Sequence, residues 1–193
     1  EFFTCPNHAG DQMNGYILKP TNFDPSKRYP VVMSQYSGPG SQSVLDKWTI
    51  DWEYYLVSKG FIVACVDGRG TGGRSRAYET SVYMQLGKLE TEDQVAGAEY
   101  MRTLPYVDGK HIGIYGWSYG GYETLMAMST SNGTYQAGVA IAPVTDWRYY
   151  DTIYAERFMR TPNENNEGYE QSAPITHAEK LKGDLLIISG TAD

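Results

Sequence analysis

Short, nearly continuous hydrophobic runs recur along the chain, separated by polar or mixed stretches. A strand that is covered on both faces shows such a continuous run, whereas a half-exposed strand alternates polar and apolar positions. The runs therefore predict buried β-strands. They cover residues 16–19, 29–36, 61–67, 111–116, 137–143 and 184–190.

Helical patterns lie between the predicted strands. Residues 46–59 carry large apolar side chains at near-helical spacing. Residues 90–104 begin with acidic side chains, which stabilise the start of a helix, and continue with an apolar series. A third helix is predicted from Tyr119 to about Ser129, and the polar run 161–172 predicts an exposed loop. Because strands alternate with helices, we expect an α/β fold with a mostly parallel sheet flanked by helices.

Composition and charge restrict the class of protein further. The chain has 193 residues, of which 41% are hydrophobic and 20% charged, as is typical of one globular domain. The formal net charge of −7 argues against nucleic acid and anionic lipid surfaces as partners. Cys65 lies inside a hydrophobic run, so we expect a buried apolar residue and no disulfide to Cys5. We predict neither a cofactor nor a metal site.

A glycine-rich segment, DGRGTGG at residues 67–73, has the spacing of a dinucleotide-binding fingerprint. That fingerprint opens a helix whose N-terminus meets the pyrophosphate, but the residues that follow here, RSRAYETS, have no apolar periodicity. The segment also follows the third predicted strand rather than the first. We therefore interpret it as a turn in which glycines supply positive φ angles.

The sequence GIYGWSYGG, residues 113–121, places Ser118 between Gly116 and Gly120, after a predicted strand and before a predicted helix. A nucleophilic serine on a strained strand-to-helix turn has this pattern, because only small residues fit two positions away on either side. The N–H of Tyr119 would then lie at the helix N-terminus, where it can stabilise an oxyanion. The alternative is an ordinary turn that contains a serine.

Several separated segments, in the expected order, resemble the prolyl oligopeptidase family of serine peptidases. They are DGRG, YVDGKHIGIYG, GWSYGGY, APVTDWRYYDTIYAERFM and LLIISGTAD. The resemblance extends from about Tyr29 to Asp193 and is nearest to the dipeptidyl peptidase IV group, with bacterial relatives that include prolyl tripeptidyl peptidases. It implies a partial α/β-hydrolase catalytic domain over residues 1–193, which complete members join to an N-terminal β-propeller that we expect outside this sequence.

A catalytic triad on this fold follows the order serine, acid, histidine. Asp193 comes after the last predicted strand and matches the family's triad aspartate. His8 and His111 precede Ser118, and His177 lies between Ser118 and Asp193, so none has the required order. We therefore expect the fold to be truncated after the strand that carries the acid. The triad histidine would lie beyond Asp193, and the 193-residue chain by itself would be nearly inactive.

A second oxyanion donor is implied by the resemblance. Tyr36, in the segment SQYSGPG, matches the family's oxyanion tyrosine, and its phenol can donate a hydrogen bond to developing negative charge. Because the chain has 17 tyrosines, a packing role for Tyr36 is the alternative.

The resemblance also implies a substrate pocket, formed by aromatic residues around and after the helix predicted to begin at Tyr119. Tyr150 and Tyr154 are four positions apart, so a helix would place both rings on one face. With Trp147, Val144 and the ring of Tyr119 they match the family's pocket for proline or alanine before the cleaved bond. A proline ring suits such faces because it has no amide N–H to satisfy. Without the resemblance, an aromatic stripe of this kind is more typical of a core.

The resemblance thus predicts a serine exopeptidase that releases N-terminal dipeptides, or tripeptides, from peptide substrates with Pro or Ala before the cleaved bond. It also implies a homodimer in the full-length protein and a periplasmic or other extracytoplasmic location. The residues alone leave other readings open: an esterase or acyl transferase on the same fold, a dinucleotide-binding module at Gly68–Gly73, or a non-catalytic interaction domain.

Overall fold

A computed structural model describes all residues 1–193 and contains one seven-stranded sheet in the order β1-β2-β4-β3-β5-β6-β7. The strands are β1 (Phe2–Pro6), β2 (Gln12–Leu18), β3 (Tyr29–Ser34), β4 (Ile62–Asp67), β5 (Val107–Trp117), β6 (Ala137–Ile141) and β7 (Asp184–Ile188). β2 pairs antiparallel with both β1 and β4, and every other pair is parallel. The predicted α/β fold with a mostly parallel sheet is confirmed.

Helices cover both faces of this sheet. They are α1 (Glu53–Ser58), α2 (Arg76–Thr80), α3 (Lys88–Thr103), α4 (Tyr119–Thr130), α5 (Thr152–Met159) and α6 (Asn166–Gln171), with 3₁₀ helices at Trp147–Tyr149 and Pro174–Lys180. Ile114 of β5 packs with Met128 of α4 in a core of 17 buried residues. The next residue, Tyr115, projects from the opposite face and contacts Trp52 beside α1, at 4.3 Å between ring centroids.

A second apolar cluster lies away from the sheet, between the serine helix α4 and the segments that follow β6. Its nine buried residues include Tyr119 and Tyr122 of α4, Trp147, Met159 of α5 and Tyr169 of α6. This cluster fixes α5 and α6 against the first half of α4. It therefore attaches the elements after β6 to the turn that carries Ser118.

Three local predictions are wrong at the level of single elements. The helix expected over 46–59 is confined to α1, because Trp48 and Ile50 are exposed and their spacing does not form a buried stripe. The loop expected over 161–172 contains α6, whose Tyr169 is buried and donates its hydroxyl proton to the Arg160 carbonyl at 2.7 Å. The short helix α2 follows the glycine-rich turn, where no helix was expected.

Three further features concern the whole chain. None of the helices has both the length and the apolar character that crossing a bilayer requires. No cluster of His, Cys, Asp and Glu side chains has the geometry of a metal site. Cys5 and Cys65 are both buried as free thiols.

Candidate active site

Ser118 occupies the turn between β5 and α4 with a strained backbone. Its φ of 57° and ψ of −115° lie outside the regions that residues with a side chain ordinarily adopt. The turn is held on both sides: Ser118 N–H donates to the Ile141 carbonyl of β6 at 2.8 Å, and Tyr122 N–H donates to the Ser118 carbonyl at 2.9 Å. The hydroxyl is thus presented on a rigid, sharp turn at the carboxyl edge of the sheet.

Close backbone contacts explain the glycines on either side of this serine. A Cβ atom on Gly116 would lie 2.3 Å from the carbonyl carbon and oxygen of Gly120. A Cβ atom on Gly120 would lie 2.5 Å from the Gln35 carbonyl oxygen, and one on Gly121 would lie 2.5 Å from the Ile141 carbonyl oxygen. The helix can begin directly against the ends of β3 and β6 only because these side chains are missing.

We expect Gly120→Ala to destabilise the protein by about 1–3 kcal/mol, because the new methyl group meets a backbone oxygen that no side-chain rotation can move. The measurement is the thermal unfolding midpoint of protein expressed from the full reading frame. Gly109→Ala is the control, since its methyl group would meet the flexible side chain of Arg102. An unchanged midpoint for Gly120→Ala would contradict the contact described above.

The loop after β3 approaches the first turn of α4. The Gln35 side chain donates to the Gly120 carbonyl at 2.8 Å, and Ser37 O–H donates to Gln35 Oε1 at 3.0 Å. Between them, Tyr36 is 39% exposed, and its ring centroid lies 6.1 Å from that of Tyr119. The buried Gln35 amide therefore fixes the position of Tyr36 beside the serine turn. Nothing in the sequence indicates this role of Gln35 apart from its place next to Tyr36.

An aromatic cluster extends from the serine turn to α5. Trp147 is buried and lies 5.5 Å from Tyr119 and 5.8 Å from Tyr154 between ring centroids. Tyr150, which is 42% exposed, contacts Tyr154 edge-on at 5.5 Å. Val144 packs against the same cluster. Trp147 therefore lies beneath the tyrosines as a buried support, while Tyr150 and Tyr154 reach towards solvent.

Two aspartates set the backbone that carries these rings. Asp146 accepts the N–H of Arg148 at 2.9 Å and begins the 3₁₀ helix with Trp147, and Asp151 accepts the N–H of Tyr154 at 2.8 Å and begins α5. The prediction that one helix carries both tyrosines is wrong, because Tyr150 precedes Asp151 and has an extended backbone. The two rings meet across a helix start rather than along one helical face.

Asp193 lies at the same edge of the sheet as Ser118. Both residues line an open cavity of about 730 Å³, together with Val144 and Tyr150. Parallel strands explain the arrangement, since β5, β6 and β7 end side by side at their carboxyl ends. Tyr36, Trp147 and Tyr154 do not line this cavity and are linked to it only through ring contacts.

No histidine lines the cavity at Ser118. His8 contacts Glu99 at 2.8 Å, and His111 contacts Asp108 at 2.7 Å. His177 Nε2 lies 2.9 Å from the Gln171 carbonyl oxygen. Each histidine thus has a partner elsewhere on the molecule.

The glycine-rich turn has the positive φ angles predicted for it, 92° at Gly70 and 80° at Gly73. Arg69 anchors the turn to α3 through a 2.7 Å ion pair with Asp93, whose side chain is fully buried. A Cβ atom on Gly68 would lie 2.6 Å from Asp93 Cβ. The turn thus packs tightly against the start of α3, and this packing accounts for its small residues.

Two buried carboxyl groups beneath the serine turn were not identified from the sequence. Glu90 of α3 accepts a 2.8 Å hydrogen bond from the Tyr119 hydroxyl, and Glu123 of α4 lies 2.7 Å from Thr91 Oγ1. Burial raises the pKa of Glu90 to about 7 and raises the pKa of Glu123 well above its usual range. In a sequence, acidic residues near the start of a helix indicate that they stabilise the helix dipole. No pattern in the neighbouring residues indicates that these two are buried.

A strained serine turn between a parallel strand and a helix, at the carboxyl edge of a mostly parallel sheet, defines the class of α/β-hydrolase folds. Residues 48–193 match the prolyl oligopeptidase family. The chain therefore belongs to the prolyl oligopeptidase family of serine peptidases.

Curated relatives and solved structures agree with this membership. The chain is 46% identical, over 94% of its length, to a probable dipeptidyl-aminopeptidase B of Grosmannia clavigera, of which it covers 19%. It is 56% identical to Porphyromonas gingivalis dipeptidyl peptidase 4, with a TM-score of 0.98 over the whole chain and 28% of that structure. A putative dipeptidyl aminopeptidase IV of Bacteroides ovatus is 41% identical, with a TM-score of 0.95 over 98% of the chain and 27% of that structure. The chain thus spans between about a fifth and just over a quarter of the length of these relatives.

Proposed function

We propose that the protein is a serine exopeptidase that releases dipeptides from the N-terminus of peptides with Pro or Ala before the cleaved bond. The observation that carries this proposal is the strained turn at Ser118, which presents one hydroxyl beside an aromatic cluster. Relatives named as dipeptidyl peptidases support the release of two residues. The alternative is the release of tripeptides, and analysis of the reaction products distinguishes it from the release of dipeptides.

The chemistry follows from the groups at the turn. Ser118 Oγ attacks the carbonyl carbon of the scissile peptide and passes its proton to the triad histidine, which we expect beyond Asp193. The Tyr119 N–H, unpaired within the helix, and the Tyr36 hydroxyl donate to the oxyanion that forms. The C–N bond then breaks as the histidine protonates the leaving amine, and water hydrolyses the acyl-enzyme. Asp193 would hold the histidine in its productive orientation.

The aromatic cluster supports selection of proline. The pyrrolidine ring of a proline residue is compact, apolar and without an N–H, so it can pack on Tyr150 and the adjoining Tyr154 without leaving a donor unpaired. Buried Trp147 fixes these rings from below at 5.8 Å from each. An ester substrate without a ring would gain little from these contacts, which favours a peptidase over an esterase on the same fold.

We expect Tyr154→Ala to lower kcat/KM for a Gly-Pro or Ala-Pro p-nitroanilide at least tenfold, because Tyr150, which lines the cavity at Ser118, loses the ring that packs against it. The substitution is made in protein expressed from the full reading frame, and Tyr55→Ala, at an exposed position of α1, is the control. A small p-nitrophenyl ester, measured in parallel, should be hydrolysed at nearly the original rate. Equal losses on both substrates would indicate misfolding and contradict the pocket assignment.

The unit released is determined by mass spectrometry of the products. Peptides that carry Pro at the second or at the third residue are offered separately, and we expect cleavage after the second residue only. Cleavage confined to the peptide with Pro at the third residue would replace the dipeptide proposal with tripeptide release.

A further inference from the structure

One hydrogen bond joins the start of α3 to the start of the serine helix α4. The hydroxyl of Tyr119 donates to Glu90 Oε1 at 2.8 Å, and both side chains are at least 98% buried. The other carboxyl oxygen of Glu90 has no hydrogen-bond partner. Tyr119 is thus the one side chain that hydrogen-bonds this carboxyl group.

Tyr119 lies at the centre of the proposed active site. It directly follows Ser118, and its own N–H is the first of α4. Its ring lies 6.1 Å from the Tyr36 ring and 5.5 Å from the Trp147 ring. A displacement of the Tyr119 side chain would therefore reach the nucleophile, the oxyanion donors and the floor of the substrate pocket together.

The neighbouring Glu123 is arranged as a neutral acid. Thr91 Oγ1 lies 2.6 Å from the Gly87 carbonyl oxygen and 2.7 Å from Glu123 Oε1, but a hydroxyl has only one proton to donate. Both contacts are satisfied when Thr91 donates to Gly87 and a protonated Glu123 donates to Thr91. Glu123 then adds no negative charge beside Glu90, and Glu90 is left free to ionise.

We propose that Glu90 is a positioning residue that acts through the Tyr119 hydroxyl to hold the serine turn and its oxyanion donors in their productive geometry. The inference rests on the proposed peptidase function. The bond joins two helix starts, so it fixes the first turn of α4 directly, and it lies where the desolvated interior strengthens a hydrogen bond.

The ionisation of Glu90 gives this role a pH dependence. Burial raises the pKa of Glu90 to about 7, and the Tyr119 hydroxyl opposes that rise. The groups that face the carboxyl group are Asp93, which pairs with Arg69, together with Glu123, Tyr119, Tyr122 and Tyr154. The ionised form accepts a stronger, charge-assisted bond from Tyr119. Activity should therefore gain a second rise as the pH passes about 7, beyond that of the catalytic base.

The test uses protein expressed from the full reading frame, with Glu90→Gln and Tyr119→Phe. We expect Tyr119→Phe to lower kcat for a Gly-Pro reporter roughly 10- to 100-fold with little change in KM, since small misplacements of reacting groups have effects of this size. Glu90→Gln keeps an acceptor but cannot ionise. At acid pH, log(kcat/KM) should increase with pH. In the unmodified protein, the slope should exceed one decade per pH unit over part of this range. In Glu90→Gln, the slope should not exceed one decade per pH unit.

Tyr16→Phe is the matched control, because the Tyr16 hydroxyl also donates to a glutamate, Glu53, at 3.1 Å but lies away from Ser118. Hydrogen exchange of the amides at 117–121 gives a readout that does not depend on activity. We expect faster exchange there in Tyr119→Phe and not in Tyr16→Phe. If the unmodified protein cleaves no peptide reporter, the proposed function fails, and the exchange measurement still decides the positioning role. Unchanged exchange, or a loss of melting temperature with unchanged kcat and acid-limb slope, would overturn the proposal.

Discussion

Ser118→Ala is expected to lower kcat/KM for a Gly-Pro p-nitroanilide by about 10⁴- to 10⁶-fold, because the nucleophile is one member of a unit whose parts fail together. Alanine and serine both have a Cβ atom, so the variant keeps the strained backbone and removes only the oxygen. Its melting temperature should therefore stay close to that of the unmodified protein. The measurement is steady-state hydrolysis by protein expressed from the full reading frame, with binding of a proline-containing inhibitor as a check on the pocket.

Residual turnover within tenfold of the unmodified protein would contradict the assignment of Ser118 as nucleophile. Loss of inhibitor binding together with turnover would show instead that the turn had changed its conformation. Binding of the inhibitor distinguishes the two outcomes, because the ring contacts of the pocket do not require the Ser118 Oγ atom.

Tyr36→Phe should lower kcat by about 10²- to 10³-fold, the usual effect of removing one oxyanion donor. The ring contact with Tyr119 is preserved in phenylalanine, so the substitution isolates the hydroxyl. KM should change little, because the negative charge that the hydroxyl stabilises develops only as the transition state forms. Tyr55→Phe, on the exposed side of α1, is the control.

If Tyr36→Phe raised KM and left kcat unchanged, Tyr36 would be a substrate-binding residue rather than an oxyanion donor. A threefold or smaller change in both constants would assign it to packing, the alternative that follows from the abundance of tyrosine in this chain.

The central parallel strands could be predicted from the sequence because they are buried inside the sheet. All six residues of β4 are buried, and its run from Ile62 to Val66 is apolar without a break. The run at 184–190 also forms a strand, β7, but the expectation that it is buried is wrong, because β7 is an edge strand and four of its five residues are exposed. β1 was missed because only Cys5 of its five residues is buried, which leaves no pattern to detect. α6 was hidden in a polar run, since its place depends on the distant contacts of Tyr169 rather than on its own periodicity.

The residues of the candidate site also fall into two groups, those that the sequence could predict and those that it could not. Ser118 is recognisable because its flanking glycines are a local requirement of the turn. Glu90 and Glu123 have no local signature, since their burial arises only when α3 and α4 pack together. Gln35 is similar, because its partner, the Gly120 carbonyl, is 85 positions away in the chain. Groups defined by long-range contacts are therefore the ones that the sequence could not show.

The backbone of Ser118 sets folding and chemistry against each other at one position. Only glycine adopts its φ of 57° and ψ of −115° without strain, and holding another residue in this conformation costs about 1–3 kcal/mol. Glycine would release that strain but would remove the hydroxyl that we propose as the nucleophile. Selection for turnover must therefore oppose a constant bias towards a more stable, inactive protein. In any lineage that no longer requires peptide cleavage, position 118 should be among the first to be substituted. Substitution by glycine would then increase the stability of the domain.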